Sequence, residues 1–285
     1  MINFKNYPSI TKIVIPNKIT LINNNFSNTF NNMRLLNVCE FNHSNVIDVS
    51  SAYAYCYNLR NTLSCGDNIT DMSKIYYSCS NLREPPKCGN NVINMSYAYY
   101  SSGVIGNPVC GDKVENMSNA YRSCYGLNGF PVCGNNVINM CNAYAYCSSL
   151  NGIPACGPNV IDMSYAYYNC RNLFGNYVCG PNVINMAHTY YFCSNLRNKS
   201  PVCGNNVIDM SYAYDNCQFL KGPAVCGPNV QNMAHTYGFC FRLNGSPACG
   251  NNVTNMFYAY YDSGVNGAPV CGPNVRDMAG AYRNC

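Results

Sequence analysis

A 23-residue repeat is the feature that most constrains how this 285-residue chain can fold. The consecutive stretches CGNNVINMCNAYAYCSSL, GPNVIDMSYAYYNCRNL and CGPNVINMAHTYYFCSNL keep a methionine, a tyrosine and a cysteine in register, and Cys-Gly pairs recur every 22 to 24 residues from Cys65 to Cys271. A fixed period of this length is typical of stacked arrays, because one unit cannot bury its apolar side alone. We therefore expect an N-terminal cap and first atypical repeat over 1–41, and tandem 23-residue repeats over 42–285 that end in mid-unit.

The recurring residues of one unit predict a short helix. With Met163 as position 0, Ala166, Tyr167, Cys170 and Leu173 stand at +3, +4, +7 and +10, which is the spacing of one helical face. The residue at −1 is Asp or Asn in every unit, which is typical of a helix N-cap. Upstream, PVCG or PACG is short and ends in glycine, which favours a brief strand followed by a turn.

The predicted fold class is an α/β repeat built from these units. Stacking them at the ~4.8 Å spacing of paired strands gives a right-handed, leucine-rich-repeat-like solenoid of about eleven 23-residue coils, with short parallel strands on one face and short helices on the other. The strand register stays open, since either the cysteines of the Cys-Gly pairs or the preceding valines can face inward. A column of asparagines at −4, such as Asn159, is expected to bond the backbone of the neighbouring coil, with Lys113 as the exception.

The opening ITKIVIPNKITLINNNF and later units such as NVIDMSYAYYNCRNL resemble the BspA-like leucine-rich repeat of bacterial surface antigens, including its methionine-containing variant. That family repeats Ala-Phe-x-x-Cys-x-x-Leu with the same period, and Tyr167 stands where the family has phenylalanine. The resemblance implies a leucine-rich-repeat solenoid with adhesion or recognition roles. The chain departs from the family in its strand, where VCG replaces Ile-x-Ile-Pro, and in having few leucines.

The 21 cysteines raise three alternatives, which are metal binding, disulfide bonds and buried thiols. Zinc sites use close Cys-x-x-Cys pairs, whereas the two cysteine columns here are 14 and then 9 residues apart, so we expect no metal and no cofactor. Ser102 and Ser263 replace the cysteine at +7 in two units whose Cys-Gly cysteine persists, which argues against pairing between the columns. We therefore expect most cysteines to be free and buried.

The tyrosines fall into two groups. Those at +4 are predicted to be core, while others at +2 and +5 lie on the outer face, where a rigid ring with a hydroxyl favours binding. The candidate binding residues are Tyr97, Tyr100, Tyr165, Tyr168, Tyr191, Tyr212, Tyr258 and Tyr261. A compositional bias towards tyrosine is the alternative explanation. His188 and His235 share position +2 and are interpreted as surface side chains without a catalytic or metal role.

No part of the sequence has the signature of an enzyme, because a glycine-rich phosphate loop, a nucleophile elbow and a unique catalytic set are all missing. A net charge of +5 gives little support for a nucleic-acid partner. No apolar run reaches the ~18 to 20 residues of a membrane-spanning helix.

We expect a non-enzymatic binding or structural array, adhesive and associated with a virion or a cell surface, whose partner is a protein or a cell-surface ligand. The alternative is an intracellular protein-binding scaffold. A cytoplasmic location stays open, since the given chain begins without a signal peptide.

The last unit stops at Cys285, after position +7 and before the expected leucine. An open coil exposes apolar side chains and unpaired backbone groups. We expect this end to be covered, either by further sequence or by another subunit in end-to-end self-association.

Overall fold

The computed structural model describes residues 7, 9–14, 24–40, 45–62, 66–175, 179–197 and 203–285. Within these ranges the chain is a solenoid of twelve coils, because the residues at −1, from Asn25 to Asp277, are joined by an unbroken series of parallel bridges. The predicted number was about eleven. The further coil is the first atypical repeat, where the buried Phe26 and Phe30 take the places of the methionine and the tyrosine.

Regular strands occur at the N-terminal end of the described chain. Strand β1 is Lys12–Val14 and strand β2 is Val38–Glu40, and they pair in parallel. Elsewhere in the described ranges, coils pair through isolated bridges, among them Val225 with Ala248. The prediction of a short strand in every unit is therefore wrong for most units.

The prediction of a short helix in every unit is also wrong, since the described residues contain no α-helix. Positions 0 to +7 instead form two consecutive β-turns. The N–H of Ala166 bonds the C=O of Met163 at 2.9 Å, and the N–H of Cys170 bonds the C=O of Tyr167 at 3.1 Å. The third residue of each turn has a positive φ, 56° at Tyr165, as type II turns require.

Two consecutive four-residue turns imitate a helix in the sequence. Their ends fall at 0, +3, +4 and +7, which is the spacing of a helical face, so the pattern predicts burial correctly and the backbone wrongly. Other N–H groups point along the solenoid axis: those of Met163 and Tyr167 bond the C=O of Asn185 and Thr189 in the next coil, at 3.0 and 2.9 Å. These bonds between coils use donors that a helix would use within one coil.

The Asp or Asn at −1 starts the first turn. Asp162 Oδ1 accepts the N–H of Ser164 at 2.8 Å, which is an Asx turn. The same contact recurs in the last coil, where Asp277 Oδ1 accepts the N–H of Ala279 at 3.0 Å. The N-cap interpretation is therefore wrong, although the preference for Asp and Asn has the same cause, a side-chain acceptor placed near an N–H two residues on.

One core runs through the stacked coils. Positions 0, +3, +4, +7 and +10 of the coil that contains Met163 are all fully buried, which confirms the predicted core residues. The rings at +4 stack in one continuous ladder, in which Tyr144, Tyr167 and Tyr190 follow each other with centroids 5.5 and 5.7 Å apart. We call these rings the core ladder.

In the coils of Tyr99, Tyr121, Tyr144 and Tyr167, the core-ladder hydroxyl bonds both backbone groups of one residue on the opposite wall of the same coil. The Tyr167 hydroxyl donates to the C=O of Ala155 at 2.6 Å and accepts the N–H of the same residue at 3.0 Å. Tyr144 makes the same pair of bonds to Val132, at 2.6 and 3.2 Å. These backbone groups are the ones that a parallel strand would use, so the tyrosine hydroxyls occupy the bonding groups of the predicted strand.

Both cysteine columns face the core. From Cys79 to Cys240 the thiol at +7 is fully buried and donates to a tyrosine C=O of the preceding coil, as Cys170 Sγ does to Tyr144 O at 2.9 Å. The cysteines of the Cys-Gly pairs pack half-buried against the core, while Val225 and Val270 beside them are exposed. Of the two predicted registers, the one with cysteine inward is thus correct. The twenty cysteines in the described ranges are free thiols.

Three residues of these columns, Cys65, Val178 and Val202, lie outside the described residues. Ile15, Ile19 and His43 also lie outside the described residues.

The glycine after each inward cysteine permits close approach of two coils. A Cβ built on Gly157 would lie 2.6 Å from the carbonyl oxygen of Gly134 and 3.1 Å from Cys133 Sγ. Gly157 is not among the glycines with a positive φ. The turn that the sequence predicts after this glycine is present, since the N–H of Val160 bonds the C=O of Gly157 at 3.4 Å. Gly157 enters that turn without a positive φ, and it leaves room for the neighbouring backbone.

Candidate functional site

The eight predicted binding tyrosines lie at the tips of the β-turns, and all eight are half-buried. At +2 an outer ladder runs through Tyr165, His188, Tyr212, His235 and Tyr258, with neighbouring ring centroids 4.4 to 5.2 Å apart and nearly parallel planes. The ring faces along this outer ladder are therefore covered by one another. Ring edges and hydroxyls remain for a ligand, so the row offers less flat contact area than the sequence predicts.

The other predicted tyrosines make smaller clusters. Tyr168 stacks on Tyr191 at 4.9 Å, and Tyr97 and Tyr100 lie 5.7 Å apart with tilted planes. Tyr261 meets the edge of the outer ladder at Tyr258. The structure thus brings the tyrosines of neighbouring coils together in pairs and short rows along one side of the solenoid.

His188 and His235 are half-buried on the outer side of the turns, as the tyrosines at +2 are. Each imidazole is sandwiched between two tyrosine rings of the outer ladder. Burial lowers the pKa of both histidines, which keeps them neutral near pH 7.

A buried carboxylate lies beside the outer ladder. Asp215 stands at +5, where several other coils have tyrosine, and only 2% of it is exposed. Its Oδ1 accepts from the side-chain amide of Asn216, and its Oδ2 is 3.5 Å from His235 Nδ1. Burial raises the pKa of Asp215 to about 7, and the hydrogen bond from Asn216 opposes that rise. Gly238 in the next coil leaves the space into which this carboxylate leans, since a Cβ there would lie 2.9 Å from Oδ2.

A groove of about 770 Å³ runs across the coils on a different side, between positions −4 and −2. Its wall at −2 is a row of isoleucines, which are 40 to 43% exposed. Its wall at −4 is a row of exposed asparagines. We call this feature the isoleucine–asparagine groove; its central residues are Asn136, Ile138, Asn159, Ile161, Asn182, Ile184, Asn206 and Ile208.

The asparagine wall is held by the bonds that the sequence predicts. Asn159 Nδ2 donates to the C=O of Asn135 at 2.9 Å, and Asn182 Nδ2 donates to the C=O of Pro158 at 3.0 Å, each one coil back. The prediction for this column is confirmed. Lys113, the exception, reaches the side chain of Asn91 instead, with Nζ to Oδ1 at 2.7 Å.

Sequence reasoning missed the isoleucine row. In NVID and NVIN the valine at −3 is buried and the isoleucine at −2 is exposed, although both are apolar. The signal that could have found it is the set of polar replacements at −2, which are Thr70, Glu115, Gln231, Thr254 and Arg276. A column that tolerates charge in some coils faces water in all of them.

Within the described ranges, no group of three or more His, Cys, Asp or Glu side chains is placed to hold a metal ion. In the same part of the chain, no helix is long and apolar enough to cross a membrane.

Fold and groove together define the chain as a repeat solenoid with a long surface groove. No protein-family model matches it, and no curated protein matches it significantly. Its structure is similar to the crystal structure of a leucine-rich repeat protein from Bacteroides ovatus, with a TM-score of 0.49 and 11% sequence identity, over 96% of this chain and 84% of that one.

Proposed function

We propose that this chain is a non-enzymatic binding array whose ligand lies along the isoleucine–asparagine groove. The observation that carries the proposal is the repetition of one exposed apolar side chain, Ile138, Ile161, Ile184 and Ile208, over four successive coils. Contiguous apolar surface of this kind is typical of a binding site. A ligand that uses it must be elongated, because the groove offers the same contact several times and no single deep pocket.

Repetition also favours binding over catalysis. An active site is a unique set of residues with distinct roles, whereas each coil of the groove supplies the same isoleucine and the same amide. Among the described residues, the one buried carboxylate with a strongly raised pKa, Asp215, lies at +5 and does not line the groove.

We further propose that the array is an adhesive component of a virion or a cell surface, of the BspA-like leucine-rich-repeat type. Its support is the resemblance of the repeat motif, whose alanine, tyrosine, cysteine and leucine are the buried columns of the solenoid. An intracellular protein-binding scaffold is the second candidate. Self-association of the purified chain favours the surface component, and a monomer that binds one soluble protein favours the scaffold.

A comparison of groove and non-groove variants tests the proposed function. Fluorescently labelled protein is applied to arrays of immobilised oligosaccharides and of uncharged synthetic peptides. We expect at least one elongated probe to bind the native protein and to lose most of its signal with the double variant Ile161→Gln and Ile184→Gln. Glutamine already stands at −2 as Gln231, so the fold tolerates it there.

The matched control is Ile153→Gln. Ile153 is 52% exposed and lies outside the groove, so its replacement removes similar apolar surface elsewhere. If no probe binds, or if every bound probe is as sensitive to the control as to the groove variant, the groove is not the binding site.

A further inference from the structure

The asparagines of the groove have hydrogen-bonding capacity to spare. Asn159 and Asn182 each use Nδ2 on the backbone of the preceding coil. Among the residues that the structure describes, no donor reaches their Oδ1 atoms. Lys113 shows what such an oxygen accepts, since its ammonium binds Asn91 Oδ1 at 2.7 Å within the same column. The groove wall is therefore a row of carbonyl acceptors suited to hydroxyl or N–H donors of a ligand.

The spacing of the coils restricts what can match this row. Successive coils are joined by parallel backbone bridges, which set neighbouring backbones ~4.8 Å apart. An extended peptide rises by ~3.4 Å per residue and repeats the same side only every second residue, so it falls out of step with the coils. A β-1,4-linked hexose chain advances by one ring over a distance close to the coil spacing. Its successive rings are turned over, but both faces of a ring present C–H groups, so each ring can still meet the isoleucine of one coil.

The backbone beneath the groove argues against a peptide for a second reason. Peptides that add to an array as a strand need unpaired N–H and C=O groups. Here the N–H of Ile161 already bonds the C=O of Ile138 at 2.9 Å, and the N–H of Ile184 bonds the C=O of Ile161 at 2.9 Å. A ligand of the groove must therefore be held by side chains alone.

Charge and shape complete the description of the ligand. Glu115, at one end, is the only charged side chain that lines the groove in the described part of the chain, although the whole chain carries a net charge of +5. An ionic ligand finds no counter-charge along the isoleucine run, so an uncharged one fits. Half-exposed isoleucines can cover the C–H faces of pyranose rings, while the asparagine oxygens accept from hydroxyls at the ring edge.

We propose that the isoleucine–asparagine groove binds an extended, uncharged, β-linked hexose polymer, with one sugar ring per coil. This inference rests on the proposed function and names the class of ligand for the same groove.

Isothermal titration with a series of cello-oligosaccharides from two to six rings tests the inference. We expect the affinity to rise with each added ring up to about the number of coils in the groove and then to level off. The Ile161→Gln and Ile184→Gln double variant should lower the affinity for cellohexaose by about tenfold, because both apolar contacts are lost. Ile153→Gln should leave it unchanged.

Two further probes distinguish a failure of the glycan inference from a failure of the proposed function. Maltohexaose has the same composition and a curved chain, so we expect it to bind weakly; equal binding of both hexamers overturns the inference of a straight ligand. A blocked six-residue peptide of alternating serine and valine tests the other class. If the peptide binds with the same groove dependence and cellohexaose does not, the glycan inference is wrong and the proposed function stands. If neither the peptide nor cellohexaose binds in a groove-dependent way, the glycan inference and the proposed function are both wrong.

Discussion

Asp215 makes the stability of the solenoid depend on pH in a direction that its burial determines. The pKa of its carboxyl rises from 3.8 to about 7 because burial disfavours the charged form. Between these two values the folded chain keeps a proton that the unfolded chain has released, so the free energy of unfolding falls as the pH rises. Since each pKa unit corresponds to ~1.36 kcal/mol, ionisation of Asp215 lowers the free energy of unfolding by about 4 kcal/mol above pH 7.

The perturbation that isolates this cost is Asp215→Asn. Asparagine has nearly the shape of the protonated carboxyl and no charge at any pH. We therefore expect the free energy of unfolding to change little at pH 4 and to rise by about 4 kcal/mol at pH 8. His235, 3.5 Å away, offsets part of the cost where it is protonated, and its lowered pKa limits that offset to acidic solution. The neighbouring Tyr191 and Tyr212 have raised pKa values and stay neutral over this range.

Hydrogen exchange is the suitable assay, because an array of coils can unfold section by section and need not give one global transition. The exchange rates of amides in the coils on either side of Asp215 are compared between variant and native protein at the same pH, so that the intrinsic rates cancel. The control is Asp112→Asn, which removes an exposed carboxylate. If the stability difference between Asp215→Asn and native protein is the same at pH 4 and pH 8, Asp215 is solvated and its burial does not make the stability depend on pH.

Three other predictions concern the core and the ends. Tyr167→Phe removes the hydroxyl that bonds both backbone groups of Ala155 and should cost about 1 to 3 kcal/mol by hydrogen exchange of the amides in its coil. Tyr165→Phe should cost less than about 1 kcal/mol, and equal losses would contradict the assignment of core and surface. Thiol titration in denaturant without reductant should find most of the 21 cysteines free, and fewer than half free would point to disulfides. In the final coil, no backbone acceptor among the described residues meets the N–H of Met278 or Tyr282. Unpaired groups of this kind favour pairing with another molecule, so light scattering should show end-to-end association of this chain. A stable monomer would contradict the prediction of association.

The sequence predicts the interior of this solenoid far better than its backbone. The columns at 0, +4, +7 and +10 are buried as expected, because any stacked unit must hide the apolar residues that recur in every copy. The helix was wrong since two β-turns place their ends at helical spacing, and the N–H groups bond to the next coil. The helix propensity of the residues within one unit contains no information about their backbone hydrogen bonds to another unit.

The strand was wrong for a related reason. Each PVCG segment has the composition of a strand, but the hydroxyl of Tyr167 or its equivalent occupies the backbone groups that strand pairing needs. The sequence shows tyrosine at +4 without showing where its hydroxyl reaches. A ring long enough to cross the core and polar at its far end is the physical signal, and it can be recognised only once the width of the coil is known.

The candidate site was the least predictable part. The tyrosines at +2 and +5 were recognised, yet their mutual stacking depends on the spacing between coils, which the sequence does not contain. Isoleucine at −2 was missed because it follows a buried valine and resembles core. Asp215 was missed because its burial comes from the neighbouring coils and from the gap at Gly238.

The bonds between coils give the solenoid an electrical direction. In the coil that contains Met163, the four N–H groups at 0, +2, +4 and +6 bond towards the C-terminal end, as that of Tyr165 does. Three, at −2, −1 and +11, bond back to the preceding coil, as those of Ile161 and Phe174 do. Aligned peptide dipoles add along an axis. The C-terminal end of the stack is therefore positive and the N-terminal end negative, the reverse of an α-helix. Anionic groups of a neighbouring molecule are accordingly stabilised at the last coil and cationic groups at the first.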